Sequence, residues 1–310
     1  MHVKFTPHPS LPPQGVKGQT GVAMIVVLWM IMVMMTLAAS LIYATRTETS
    51  MVDYARRTAQ SRAVADAAAH YAVMQLFLPN KERDLKLGGT PLLWEYEGAK
   101  AEIRVVGENG LIDINFASRA LLELIMEQAG GLDKNALARM LDILEDFRDV
   151  DDLKRVNGAE DGDYENAGLP FGAKDAPFDR IEELQQVLGM TPQLYQALTR
   201  FLTVNSGGVG INPMLAPRQT LLLLAEGDAA KVDAYMQKRE ESEGEYVQPD
   251  FGGAFLDATQ QPLYRMQIRV YTDPTAPPYF EERSLRLRPG QTPPFINYFR
   301  ILQESSAQFG

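Results

Sequence analysis

The sequence has no cysteine and only three histidines. Without cysteine there is no disulfide, no thiolate metal site and no thiol nucleophile. His2 and His8 fall among the first twenty residues, so only His70 remains in the rest of the chain, and histidine-centred catalysis is close to excluded. Positive charge is also scarce: 30 Lys and Arg stand against 40 Asp and Glu, a net charge of -10. Nucleic-acid binding draws on cations that neutralise phosphate. The balance therefore argues against a nucleic-acid partner, whereas an acidic surface suits solubility and divalent cations. Ser118 and Ser206 have no histidine near them in sequence. Gly207-Gly208-Val209-Gly210 lacks the Lys-Ser/Thr ending of a phosphate loop and reads as a turn. Phe147, Tyr164, Phe171 and Phe178 read as core or loop anchors rather than a ligand cage. The expectation is a non-enzyme.

What is present begins with a long apolar run. Of 310 residues, 45% are apolar, enough for two units or for one domain with a large insertion. Residues 1–20 are polar and weakly basic, with Lys4 and Lys17 and no acid. Pro7, Pro9, Pro12 and Pro13 oppose a helix there. Gly21 comes next, and then an uncharged stretch from Val22 to Ala44, which at 1.5 Å per residue roughly matches a ~30 Å hydrocarbon layer. Three membrane readings compete: a secretory signal cut near Leu37–Ser40, an uncleaved single-pass anchor, and a pilin-like leader cut directly after Gly21. The third accounts for the glycine at the junction. It also accounts for the stretch beyond the apolar run. From Thr45 to Leu78 the chain has neither Gly nor Pro. Val52, Ala55, Ala59, Ala63, Ala67, Tyr71 and Met74 recur at helical spacing. One helix is expected to run through both stretches, membrane-embedded first and amphipathic afterwards.

Two strands are expected over residues 92–98 and 99–107, turning at Glu97–Gly98, and two more over 263–272 and 279–288. Together they predict one antiparallel sheet against the N-terminal helix. Between the pairs the spacing predicts helices over 117–129 (capped by Ser118), 135–149, 180–189 (ending at Gly189), 191–204 (with Pro192 in the first turn), 218–227 and 229–241. The fold class is α+β: a pilin-like long helix on an antiparallel sheet, split by an all-helical insertion. The boundaries are a leader at 1–21, a transmembrane part at 22–44, pilin-like parts at 45–112 and 251–310, and the insertion at 113–250. Within it, DINFASRALLELIM and FDRIEELQQVLGM resemble helix-hairpin-helix units, which often hold DNA backbones. Their surroundings are acidic, which favours protein packing instead.

The densest polar feature runs from Asp142 to Glu165. Like charges so close repel unless solvated or bridged by a cation. Asp149, Asp151 and Asp152 close one helix, and a turn at Asn157–Gly158 would bring Glu160, Asp161 and Asp163 back toward them. The spacing is not that of an EF-hand, because counting from Asp161 puts Asn166 where glycine is required. A solvated acidic loop paired to Arg148, Lys154 and Arg155 and a calcium site both remain open.

GVAMIVVLWM, TRTETS and ARRTAQSRAVADAAAHYAV, with GLIDINFAS, LEDFRDVDD, NGAEDGDYENAGLPFG, FDRIEELQQVLGM and FLTVNSGGVGINP, resemble the general secretion pathway protein K family. These are minor pseudopilins of type II secretion, and the resemblance covers nearly the whole chain. It implies an inner-membrane protein with its bulk in the periplasm, cut between Gly21 and Val22 by prepilin peptidase and methylated. Its implied partners are minor pseudopilins I and J and other pseudopilins. The same resemblance favours calcium at Asp149, Asp151, Asp152, Glu160, Asp161 and Asp163. After that cut Val26 is residue five, where most pilins carry a Glu that neutralises a neighbour's terminal amine. Its absence implies the tip of the fibre. The competing expectation is a permanently anchored periplasmic binding module built on the helix-hairpin-helix units.

Overall fold

The structure is a computed structural model that describes residues 20–272 and 277–303. Residues 1–19 of the expected leader (1–21), with Lys4, Lys17, His2 and His8, lie outside the described residues. The chain divides into two units, Met1–Ala59 and Gln60–Gly310.

In the first unit the described chain is helical from Thr20, the start of α1 (Thr20–Phe77). Val22–Thr45 is long and apolar enough to cross a membrane. Its side chains are exposed. A continuous helix satisfies every backbone donor and acceptor within the segment, which hydrocarbon demands. The hydroxyls of Thr36 and Thr45 donate back to the carbonyls of Val33 and Leu41 at 2.8 Å, so they add no unmatched polar group.

The second unit begins inside α1. Here Ala65, Ala68, Ala69, Ala72, Val73 and Leu76 are buried at i, i+3, i+4 spacing, one stripe of the helix. Four alanines let the helix lie close to a sheet. That sheet has five antiparallel strands in the order β1 (Leu92–Tyr96), β2 (Ala99–Gly107), β5 (Leu263–Tyr271), β6 (Tyr279–Leu287) and β7 (Phe295–Gln303). Alternation fixes its faces: Ala99, Ala101, Ile103 and Val105 of β2 and Met266, Ile268 and Val270 of β5 are buried with the α1 stripe. Glu97 and Gly98 both have positive φ, the conformation a two-residue turn between β1 and β2 requires. Tyr71 stacks on Trp94, and Trp94 on Tyr96, each with centroids 5.4 Å apart, which fastens edge strand β1 to the helix. On β6 and β7 the link to α1 is ionic. Arg283 donates to Glu281 and Asp66, and Arg300 lies 2.5 Å from Glu281 and 3.2 Å from Asp66.

The chain between β2 and β5 builds a separate core around Leu121, Ile125, Leu141, Phe147, Leu198 and Leu221. Its helices are α2 (Arg119–Gln128), α3 (Lys134–Arg148), α4 (Asp161–Asn166), α5 (Pro192–Thr199), α6 (Arg218–Leu224) and α7 (Ala229–Glu241). The expected cap is in place, the Ser118 hydroxyl accepting from Leu121 N, and Thr191 likewise accepts from Leu194 N ahead of the expected Pro192. Four expectations need correction. The sheet gains a fifth strand, β7. Residues 181–186 form a 3-10 helix rather than an α-helix, consistent with Ile181, Leu184 and Val187 recurring every three residues. The helix expected over 191–204 stops at Thr199. Beyond it, β4 (Leu202–Thr203) pairs in parallel with β3 (Ile112–Asp113), so the insertion is not wholly helical.

A buried polar knot ties this region to the sheet. Glu108, fully buried, accepts from Thr203 Oγ1 at 2.5 Å, Ser284 Oγ at 3.0 Å and Arg265 Nη2 at 3.3 Å. Those partners belong to β4, β6 and β5. Ser206 gives its hydroxyl to Asp113 at 3.1 Å. Ser206 and the capping Ser118 thus both have structural employment.

Candidate functional site

Two features can carry function: the apolar stretch of α1 and the carboxylates between α3 and residue 175. In the first, Val22 and Val26 are both exposed on the helix, Val26 at 52%. Gly21 lies one residue past the start of the described helix.

The second begins on α3. Asp142, Glu145, Asp146 and Asp149 sit at i, i+3, i+4, i+7 and so share one face. Arg119 of α2 reaches Asp142 and Glu145, both at 2.7 Å. Burial works against the Asp142 carboxylate, yet Arg119 and Asn157 hold its pKa below the usual value. Arg155 returns from the loop after α3 onto the same face. It lies 3.0 Å from Glu145, 2.6 Å from Asp146 and 2.5 Å from Asp149. Gly158 makes this approach possible, because a Cβ there would stand 1.7 Å from Asp146 Oδ2. Gly172 plays the same part beside Asp161, where a Cβ would stand 1.8 Å from Oδ1. Asp161 Oδ1 accepts from Ala173 N at 3.0 Å.

Arg155 does not neutralise the whole group. Asp149 Oδ1, Glu160 Oε1 and Asp175 Oδ1 are buried without a hydrogen-bond partner. Burial, with Asp146, Asp149, Asp175 and Asp152 around it, pushes the Glu160 carboxyl up to about 7. Burial also raises Asp175, helped by Asp161, Asp152 and Asp149. Asp175 adopts φ +52°, an uncommon conformation for a residue other than glycine. Anionic oxygens left dry and mutually repelling are costly. Hard oxygen donors on an irregular loop are the kind that calcium takes. Among the described residues, no three such side chains are already gathered in ligating geometry. A cation would have to draw them together.

The residues expected from sequence separate here. Asp149 and Glu160 carry orphaned oxygens, and Asp152 and Asp161 act on the same centre electrostatically. Asp163 is engaged elsewhere, paired with Lys154 at 2.6 Å and accepting from Glu160 N. Asp151 is exposed and accepts from Leu153 N in a local turn. Asp175 was not expected, since it stands alone in GAKDAP, ten residues past the acidic run. The only local sign is its position between Gly172 and Pro177.

Residues 113–207, which hold this cluster, match the family model for the type II secretion system (T2SS), protein K. The putative type II secretion system protein K of Escherichia coli (strain K12) is 23% identical, over 60% of this chain and 62% of its own length. The type II secretion system protein K of Pectobacterium carotovorum subsp. carotovorum is 28% identical, over 46% of this chain and 41% of its own. The chain thus spans less than two thirds of either relative. A chain in the crystal structure of the GspK-GspI-GspJ complex from the enterotoxigenic Escherichia coli Type 2 Secretion System shares the fold, with TM-score 0.58 and 14% identity over 81% of this chain and 98% of that one. The chain is thus similar to type II secretion system protein K over residues 113–207, and similar in fold to a chain of that complex over most of its length.

Proposed function

We propose that this protein is a minor pseudopilin that sits at the tip of the type II secretion pseudopilus and helps to start its assembly, so that folded proteins are exported across the outer membrane. The observation that carries this reading is the single helix that holds an exposed apolar span and then the alanine stripe of a pilin-like sheet. Val22–Thr45 would anchor the chain in the inner membrane, with the sheet and the insertion in the periplasm. Prepilin peptidase would cut between Gly21 and Val22. Val26 then supplies no carboxylate for a neighbour's terminal amine, and an unpaired charge in apolar surroundings is costly. A subunit at the tip has no neighbour above it to neutralise. The partners are minor pseudopilins I and J, by likeness to the complex that shares the fold, together with the other pseudopilins.

Calcium completes the reading. Asp149, Glu160 and Asp175 would hold it, with Asp152 and Asp161 beside them. It would neutralise the crowded carboxylates, while Arg155 keeps the loop against α3. The mature N-terminus tests the pseudopilin reading. Sequencing should give Val22. A start at Met1 would sink the reading, and a start near Leu41 would mean ordinary secretion. The binding-module alternative predicts an uncut chain.

A further inference from the structure

The two edges of the five-stranded sheet are finished differently. β1 is five residues long, and the stack of Tyr71, Trp94 and Tyr96 fastens it to α1. β7 is nine residues long, and apart from β6 no strand pairs with it among the described residues. Folded proteins blunt such an edge with lysines, inward charges, prolines or a covering segment. Between Phe295 and Gln303 there is neither Lys nor Pro, and the only charged side chain is Arg300. Asn297, Tyr298 and Arg300 are exposed, and Phe295, Ile296, Phe299 and Ile301 are half-buried.

One bond fixes which way the backbone faces. Arg288 N donates to Pro294 O at 2.7 Å, in step with the pairs Leu287–Phe295 and Arg286–Ile296 of the β6–β7 ladder. Pro294 therefore faces β6, and alternation turns the N–H and C=O of Phe295 and Asn297 to the open side. Only another extended backbone matches such a row as a whole.

Charge narrows the occupant. Residues 283–303 hold four arginines and no Asp or Glu, in a chain of net charge -10. Arg283 and Arg300 are matched by Glu281 and Asp66. Arg286 and Arg288 make no ion pair among the described residues. Arg286 lies over the Tyr298 ring at 5.4 Å, and its Nε has no hydrogen-bond partner. Because Arg286 pairs in register with Ile296, this surplus positive charge stands beside the half of β7 whose amides face out. A second copy would bring the same cations to the same edge. The irregularity opposite Ser284/Leu285 also leaves the two halves of β7 out of step, which spoils a two-fold pairing of β7 with itself.

We propose that the open edge of β7 takes an acidic, extended segment of another protein as a sixth strand of the sheet. The inference does not depend on the secretion reading.

The test uses the full chain in a nonionic detergent and two labelled peptides of the length of β7. One alternates valine with glutamate, the other valine with lysine. The glutamate peptide should bind about ten-fold more tightly than the lysine peptide or better, and added salt should weaken it. With isotope-labelled carbonyls, its infrared amide band should move to the β-strand position on binding. Asn297→Pro removes an amide that faces out and leaves the ladder to β6 intact. It should keep the wild-type melting temperature and weaken the glutamate peptide about ten-fold or more. R286E/R288E should reverse the preference between the peptides. The proposal is overturned if neither peptide binds, if both bind equally, or if the double variant leaves the preference unchanged. Glutamate-peptide binding that survives Asn297→Pro in a folded protein would also overturn it, as would a wild-type dimer that Asn297→Pro dissociates. None of these outcomes bears on the secretion reading, which the mature N-terminus decides.

Discussion

Two sets of acids in this protein, one buried and one half-buried, are built on opposite plans. Glu108 is enclosed and fully matched, with a guanidinium and two hydroxyls from three different strands. The Asp149, Glu160 and Asp175 side chains are half-buried and under-matched, each with one buried oxygen that has no hydrogen-bond partner. The difference separates a fastening from a candidate binding site. A carboxylate whose partners all come from its own chain holds elements together. At Glu160 and Asp175, burial and the neighbouring carboxylates raise the pKa, which marks a place short of positive charge.

The comparison breaks most sharply at the matched site. Glu108→Ala strands Arg265 in the interior and should cost about 3–5 kcal/mol, read as a lower midpoint in chemical unfolding. Calcium sharpens the other side. If the carboxylates bind it, a concentration 100-fold above the dissociation constant should stabilise the full chain by about 2.7 kcal/mol, and a chelator should reverse the rise in melting temperature. Glu108→Ala should leave that response in place. An unchanged melting temperature across the calcium titration would remove the metal from the account. Gly158→Ala should come next, at roughly 1–3 kcal/mol, because its methyl meets Asp146 and the loop must shift. Its calcium response should fall as well.

The smallest effect is the pH dependence. A carboxyl with a raised pKa makes the folded state the better proton binder. Its stabilising contribution is complete below the ordinary Glu value and is lost as pH rises through about 7. In chelator, the wild type should therefore melt lower at pH 8 than at pH 5.5, by a margin that Glu160→Gln reduces. Equal margins in the two proteins would show that Glu160 does not govern the profile.

Much of this was legible in sequence. The apolar span, the helix continuing past it, the hairpin turn at Glu97–Gly98, the cap at Ser118 and Pro192 in a first turn all obey local rules. What escaped depended on distant partners. In β7, FINYFRIL puts apolar groups on both sides, and a register shift opposite Ser284/Leu285 breaks any two-residue period. Leu202–Thr203 reads as the end of a helix until Ile112–Asp113 lies beside it. The acidic run was visible, but its division was not. Asp163 faces a lysine, Asp151 faces solvent, and Asp175 arrives from a separate turn. Those fates are set by tertiary folding rather than by composition.

The strands that bracket the insertion are immediate neighbours. Gly107 at the end of β2 pairs with Tyr264 near the start of β5. The chain therefore leaves the sheet and rejoins it at almost one point, as a hairpin does. The five-stranded meander would close with a short turn in place of the whole helical region. In construction that region hangs from a hairpin tip: the register of the sheet does not depend on its length, and anchor points such as Glu108 tie the two together.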